Sequence, residues 1–234
     1  MPRNLPVRRP DFAVTHLRGL TRADLTFLID NMPQPGRSYE EIARLLDALP
    51  NTLESMLSSD YVFQAIFDRR RTLLDISPFL LFNVLLRRSL AGPFSPLERK
   101  VINYLANLLA LFVRADRVHR IEPHDRAVRE YIVDLAAEAE RGDTRRQFVT
   151  YAHIGNYSLY LAGLCHAWLE HRHRRRPIGE RYLCDAGRSY FDRAARHALA
   201  RQLGLDDVFL RLAMVFEHYR GALAHLARNY LPAS

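Results

Sequence analysis

Lysine and cysteine are almost absent from this chain of 234 residues, which has one lysine, Lys100, and two cysteines, Cys165 and Cys184. Two cysteines are too few for a disulfide framework or for a zinc site made of four cysteines. Glycine and proline number only 10 and 12, which excludes collagen-like and low-complexity chains. Two thiols without an obvious pairing partner fit a reducing compartment, and the sequence predicts a cytoplasmic protein.

The sequence predicts neither a targeting segment nor a membrane span. Residues 1–14 hold three arginines and three prolines but no apolar run, so they do not resemble a secretory signal peptide. Residues 147–169 carry no formal charge and are long enough to span a bilayer. Because polar side chains such as His153 and Asn156 interrupt this stretch, it predicts a buried helix and not a membrane span.

Positive charge is in surplus, with 34 Lys and Arg against 26 Asp and Glu and a formal net charge of +8. A basic chain attracts polyanions, which include nucleic acids and acidic protein surfaces. All but one of the cations are arginines, which suggests a GC-rich coding bias and also suits bidentate ion pairs with carboxylates. The surplus positive charge is therefore consistent with binding to an acidic protein, with binding to nucleic acid and with ion pairs between helices.

Signals that start helices recur along the chain, whereas strand signals are nearly absent. Ser77 precedes Pro78, and Ser95 precedes Pro96 with Glu98 three residues after the serine. These are N-caps followed by proline at the first helical position. Eight of the predicted helices cover about 22–31, 39–48, 77–90, 96–112, 126–141, 144–173, 179–202 and 206–230. A ninth helical segment opens at Asn51 and restarts near Asp60 toward Arg71. The sequence predicts an all-α bundle of about nine helices.

The C-terminal half has the clearest helical pattern. The charged stretch around Pro123 separates residues 1–118 from residues 119–234, so the chain is either two helical parts or one continuous domain. In the second part we expect a compact three-helix core around a long central helix. Gly155 and Gly163 lie on one face of that helix and predict a close helix crossing, while Trp168 on the opposite face should be buried.

Two groups of side chains could hold a metal ion or a ligand. His153 lies among tyrosines on an apolar face, where a neutral imidazole can bind metal or haem, act as a general base, or simply hydrogen-bond to a neighbour. His166, Glu170 and His173 share another face, and the last two match one half of a di-iron pattern. The second half is missing, so we expect no metal and no cofactor.

A run of arginines precedes Pro177 and comprises Arg172, Arg174, Arg175 and Arg176. It predicts either a contact with an acidic partner or phosphate, or a solvated helix end. Neither a phosphate-binding glycine loop nor a nucleophile elbow occurs.

The leading prediction is a non-enzymatic cytoplasmic interaction or regulatory module that binds an acidic protein or a second copy of itself. One alternative is a metal- or haem-dependent enzyme or carrier with a pocket among the last three helices. The other is nucleic-acid binding through Arg172–Arg176.

Overall fold

The computed structural model describes residues 8–31, 50–67, 76–127, 129, 131–165 and 179–231. Within these ranges 76% of the residues are helical and there is no strand, which confirms the all-α class. The described ranges contain twelve α-helices, more than the predicted nine. They are α1 (Arg22–Asp30), α2 (Pro50–Leu57), α3 (Asp60–Phe67), α4 (Pro78–Leu90), α5 (Pro96–Phe112), α6 (Ala115–Val118), α7 (Ile132–Arg141), α8 (Thr144–Leu164), α9 (Glu180–Arg196), α10 (Ala198–Leu203), α11 (Asp206–Met214) and α12 (Phe216–Tyr230).

Several helices begin where the capping signals predict. The Ser77 hydroxyl accepts a hydrogen bond from the backbone of the first turn of α4. Ser95 and Glu98 form a reciprocal capping box at the start of α5, with distances of 3.2 and 2.9 Å. Asp143 caps α8, and Gly204 ends α10 with a φ of 66°. These bonds satisfy N–H groups that a helix start leaves without a partner.

Two long predicted helices are broken, although neither break contains glycine or proline. The helix predicted over 179–202 is interrupted at His197, whose backbone is extended and whose ring Nδ1 accepts from the Leu199 N–H at 3.2 Å. His197 therefore ends α9 and caps α10. The helix predicted over 206–230 is interrupted at Val215, where φ is −121° and ψ is 40°. Breaks of this kind leave no turn residue for a sequence pattern to detect.

Other predicted boundaries are also wrong. The helix predicted from 126 begins at Ile132, because the preceding segment folds as a loop in which the Arg129 N–H donates to the His119 carbonyl. The central helix ends at Leu164, well short of residue 173, because Cys165 leaves the helical conformation. α2 begins at Pro50, one residue before the predicted opening at Asn51. The helix predicted over 39–48 lies outside the described residues.

The central helix α8 is buried along most of its length and packs against α7, α9 and α12. One hydrophobic core runs from Phe12 to Leu226 and takes residues from both sides of residue 118. A second, smaller core joins α1, α2, α3 and the first half of α4. The division at residue 118 stays a prediction. Among the described residues, no helix combines the length and the apolar character that a membrane crossing requires.

Three glycines allow the helices around α8 to approach closely. A Cβ at Gly163 would lie 2.7 Å from the Leu223 Cβ of α12, and one at Gly155 would lie 2.6 Å from the Phe191 ring of α9. Close approach at both glycines is confirmed, but they contact two different helices, α9 at Gly155 and α12 at Gly163, and not a single crossing helix. A Cβ at Gly187 of α9 would overlap the Phe216 ring, a contact that the sequence did not predict. We call Gly155, Gly163 and Gly187 the glycine seam; Trp168 lies outside the described residues.

A network of ion pairs holds the loop before α7 against α7 and α8. Arg146 of α8 lies 2.9 Å from Asp125 of the loop and 2.9 Å from Glu138 of α7. Arg129 of the loop also contacts Glu138, at 2.8 Å. Hydrogen bonds between charged groups are stronger than those between neutral groups, so this network holds the loop in place.

Candidate functional site

A cavity of about 320 Å³ opens between α2, α3 and the last turn of α4. Leu57, Phe63, Val84 and Phe94 form its apolar walls. Its polar lining comes from Ser58, Ser59, Arg87 and Arg88. We call this space the arginine cavity. Its volume is at the lower end of the roughly 300–1,000 Å³ that small-molecule sites occupy.

Arg87 is the buried cation of the arginine cavity, with only 2% of its side chain exposed. Its Nε donates to Asn83 Oδ1 at 2.7 Å, one terminal nitrogen donates to Ser58 Oγ at 3.2 Å, and the other to Glu54 Oε2 at 2.5 Å. A guanidinium has five N–H groups. Two therefore remain without an acceptor among the described residues.

A chain of side-chain amides holds Arg87 in place from behind. Asn83, one turn earlier on α4, donates to Asn103 Oδ1 of α5 at 2.7 Å. Asn103 in turn donates to the Thr15 carbonyl at 3.3 Å. Both asparagines are buried, so the chain leads from the N-terminal segment through the core to the guanidinium.

Sequence reasoning missed this site. Asn83 and Arg87 are spaced by four on an otherwise apolar helix, so they lie on one buried face. This pair of polar residues is the signal from which the sequence could have predicted the site, because a polar side chain in an apolar helical run is buried only when it has partners.

One carboxylate serves two guanidinium groups beside the cavity. Glu54 bonds to Arg87 and also lies 3.9 Å from Nε of Arg99, and it is only 11% exposed. Burial lowers the pKa of Arg87, the charge of Glu54 opposes this, and the charge of Arg99 adds to it. Arg99 is 35% exposed, so water screens much of its charge, and Glu54 serves mainly as the partner of the buried Arg87.

Arg88 stands at the rim of the cavity. Its guanidinium lies 4.7 Å from the centre of the Phe63 ring and 2.7 Å from Asp60. The Arg88 and Asp60 side chains are 46% and 80% exposed, and exposed pairs of this kind contribute about 0–1 kcal/mol. Arg88 can therefore release Asp60 and bind another anion at little cost in free energy.

The turn after α4 shapes the mouth of the cavity. Among the described residues, Ala91 is the non-glycine residue with a positive φ, at 45°, and Gly92 follows with φ 150°. Ala91 and Phe94 line the arginine cavity and also a smaller cavity of about 150 Å³ that reaches His218 and Tyr219 of α12. Backbone strain of this kind persists only where the surrounding structure enforces it, and it clusters at functional sites.

His153 is buried among aromatic rings, as the sequence indicated. Its ring centre lies 6.2 Å from that of Tyr157 and 6.3 Å from that of Phe112, and its Nε2 has no partner among the described residues. Burial, helped by the charges of Arg117 and His119, lowers its pKa to about 3. The imidazole is therefore neutral at physiological pH, and so weak a base is poorly suited to general-base catalysis.

The other predicted site residues lie outside the described residues, so metal binding and nucleic-acid binding through them stay predictions. They are His166, Glu170, His173, Arg172, Arg174, Arg175 and Arg176. Within the described ranges, no three His, Cys, Asp or Glu side chains are placed to share a metal ion. Burial, together with the hydrogen bond to Glu217, raises the pKa of the Cys184 thiol to about 11, as for an inert core cysteine.

The comparisons with known proteins identify no relative of this chain. Protein-family models, curated proteins and solved structures all give no match. The function is therefore argued from the arginine cavity and the charge around it.

Proposed function

We propose that this protein is a non-enzymatic cytoplasmic interaction module that holds an anionic group of an acidic partner in the arginine cavity. The observation that carries this proposal is Arg87, a buried guanidinium that three side chains hold in one orientation. Two of its N–H groups have no acceptor among the described residues, so they are available to an incoming anion. A donor pair that is already oriented loses little entropy on binding.

Charge supports the same proposal. The chain has a formal net charge of +8, which attracts acidic partners over a distance. At the cavity, Arg88 pairs only with Asp60, which is 80% exposed, so an added anion can replace this partner at little cost. The cysteines Cys165 and Cys184 are both free thiols, which fits a reducing compartment.

The proposal is tested by following the arginine Nε–H signals in nuclear magnetic resonance spectra while acetate or inorganic phosphate is added at constant ionic strength. We expect the Arg87 and Arg88 signals to shift and to saturate. Arg196 is the matched control, because it lies on the surface and pairs with Asp192 at 2.8 Å. Lysine substitutions at the three positions assign the signals. Equal, unsaturated shifts at all three arginines would contradict the proposal.

A further inference from the structure

The arginine cavity combines the buried Arg87, which pairs with Glu54, and the rim residue Arg88, whose partner Asp60 is exposed, with walls that are partly apolar. We infer that it selects one carboxylate attached to an apolar group and discriminates against phosphate. This inference rests on the proposed function and adds the chemical class of the ligand. The carboxylate has two sources, an acidic side chain beside an apolar residue of a partner protein or a small organic acid, and the experiment below separates them.

The charge balance favours a monoanion. Arg87 is already paired with Glu54, and Arg88 at the rim has only the exposed Asp60, so one added negative charge balances the cations of the cavity. A phosphate monoester carries about −1.5 to −2 at pH 7 and would leave excess negative charge beside Glu54. An uncompensated charge in a poorly solvated place is strongly unfavourable.

The available hydrogen-bond donors also match a carboxylate. Arg87 has two N–H groups to offer, and a carboxylate accepts two parallel N–H bonds from an arginine. A phosphate group has three strong acceptor oxygens. The hydroxyls of Ser58 and Ser59 cannot serve the third oxygen without breaking bonds, because they already donate to the carbonyls of Glu54 and Met56 at 3.1 and 2.6 Å.

The walls of the cavity explain why the carboxylate should be attached to an apolar group. Leu57 and Val84 are each 1% exposed and belong to the smaller hydrophobic core. The Phe94 ring centre lies 5.7 Å from the Arg87 guanidinium, so an apolar group beside the carboxylate would contact this ring. Each methylene removed from water by these walls should raise the affinity about fourfold.

The test is calorimetric titration at pH 7 and constant ionic strength with 3-phenylpropionate, acetate and phenyl phosphate. We expect 3-phenylpropionate to bind at least ten times more tightly than either of the other two. A capped peptide with glutamate between two leucines, and its glutamine counterpart, identify the source. Tighter binding of the glutamate peptide than of 3-phenylpropionate assigns the site to a partner protein. The reverse assigns it to a small acid, which keeps the selectivity for carboxylate but overturns the proposed interaction with an acidic partner.

Variants locate the binding in the arginine cavity. Arg88→Gln should weaken 3-phenylpropionate binding about threefold, whereas Asp60→Asn should tighten it about threefold because it releases Arg88 from its ion pair. A gain of affinity is not a result that a damaged fold produces. Arg87→Lys should abolish binding, and if that variant does not fold, the two rim variants still decide. Arg196→Gln is the surface control and should change nothing.

The outcomes separate this inference from the proposed function. Binding of phenyl phosphate as tight as that of 3-phenylpropionate would overturn the selectivity for carboxylate and leave anion binding at the cavity intact. Failure of every anion and peptide to bind would overturn both. Binding that neither rim variant alters would place the ligand elsewhere and would also overturn the inference.

Discussion

The bundle around α8 and the region around α4 bury different kinds of side chain. Around α8 the glycine seam brings helices so close that side-chain atoms of α9 and α12 occupy the space of a missing Cβ. Around α4 the interior holds the buried charge of Arg87, two asparagine amides and an open cavity. The first region depends on volume, because close packing leaves no room for added atoms. The second depends on charge and hydrogen bonding, because an ion buried without partners is very costly.

This difference indicates where binding can occur. A tightly packed bundle offers rigidity but no space, so it is suited to holding the remainder of the fold in place. The α4 region keeps both a cavity and a cation, and the larger core supports it from behind through Asn103 of α5. Preorganised sites on rigid elements bind with smaller entropic cost than sites that must be assembled.

The largest expected effect comes from removing the buried charge. Arg87→Met should lower the free energy of unfolding by about 3–5 kcal/mol, because Glu54 and Asn83 lose their partner. Arg88→Met is the matched control at the next position and should cost at most about 1 kcal/mol, since its ion pair is exposed. Denaturant unfolding measures both. Equal losses of unfolding free energy at Arg87 and Arg88 would contradict the view that the α4 region depends on a buried charge.

The glycine seam should respond to volume alone. Gly187→Ala should destabilise the protein by about 1–3 kcal/mol, because the new Cβ would overlap the Phe216 ring. Gly221 of α12 is also a helical glycine but has no heavy atom within 4 Å of the Cβ position. Gly221→Ala should therefore stabilise the protein by about 0.5–1 kcal/mol. Thermal unfolding that moves in the same direction for both variants would contradict the close packing at Gly187.

His153 introduces a pH dependence into the bundle around α8. Its pKa is lowered to about 3 in the folded state, from an ordinary value of 6.5. Below pH 6.5 His153 therefore binds a proton in the unfolded chain but not in the folded protein. The free energy of unfolding then falls by about 1.4 kcal/mol per pH unit until the pH approaches 3. We expect His153→Phe to reduce the slope between pH 6.5 and 4.5, leaving only the contribution of other groups such as His197, whose pKa is also lowered. An equal slope in the wild-type protein and the variant would show that folding does not lower the pKa of His153.

The smallest expected effect belongs to the ion pairs of the loop before α7. Hydrogen bonding to Arg129 and Arg146 holds the pKa of Glu138 below its ordinary value of 4.5, despite partial burial. Its contribution to stability is therefore present above about pH 4.5 and is lost as the pH falls through the lower, folded-state value. Glu138→Gln should cost less than about 1 kcal/mol at pH 7 and a smaller amount at pH 3. A cost that does not fall between pH 7 and pH 3 would indicate packing instead of charge.

The local signals of the sequence determined the helical class and several helix starts. Ser77, Ser95 and Asp143 each bond to a backbone N–H three residues later, so the information lies within one turn. Such bonds form whenever the turn is helical, whatever packs outside it. The sequence also predicted the close approach at Gly155 and Gly163, because two glycines on one face of an apolar helix leave room for a neighbour.

Only the tertiary structure decided where the long helices break and where the binding site lies. Nothing local marks Val215 as a break, and its conformation depends on how α11 and α12 pack against other helices. The arginine cavity joins Arg87 to Ser58 and Glu54, which precede it by 29 and 33 residues. No periodicity within a helix encodes such a pairing, because it forms only when packing excludes water and leaves the guanidinium no other acceptor.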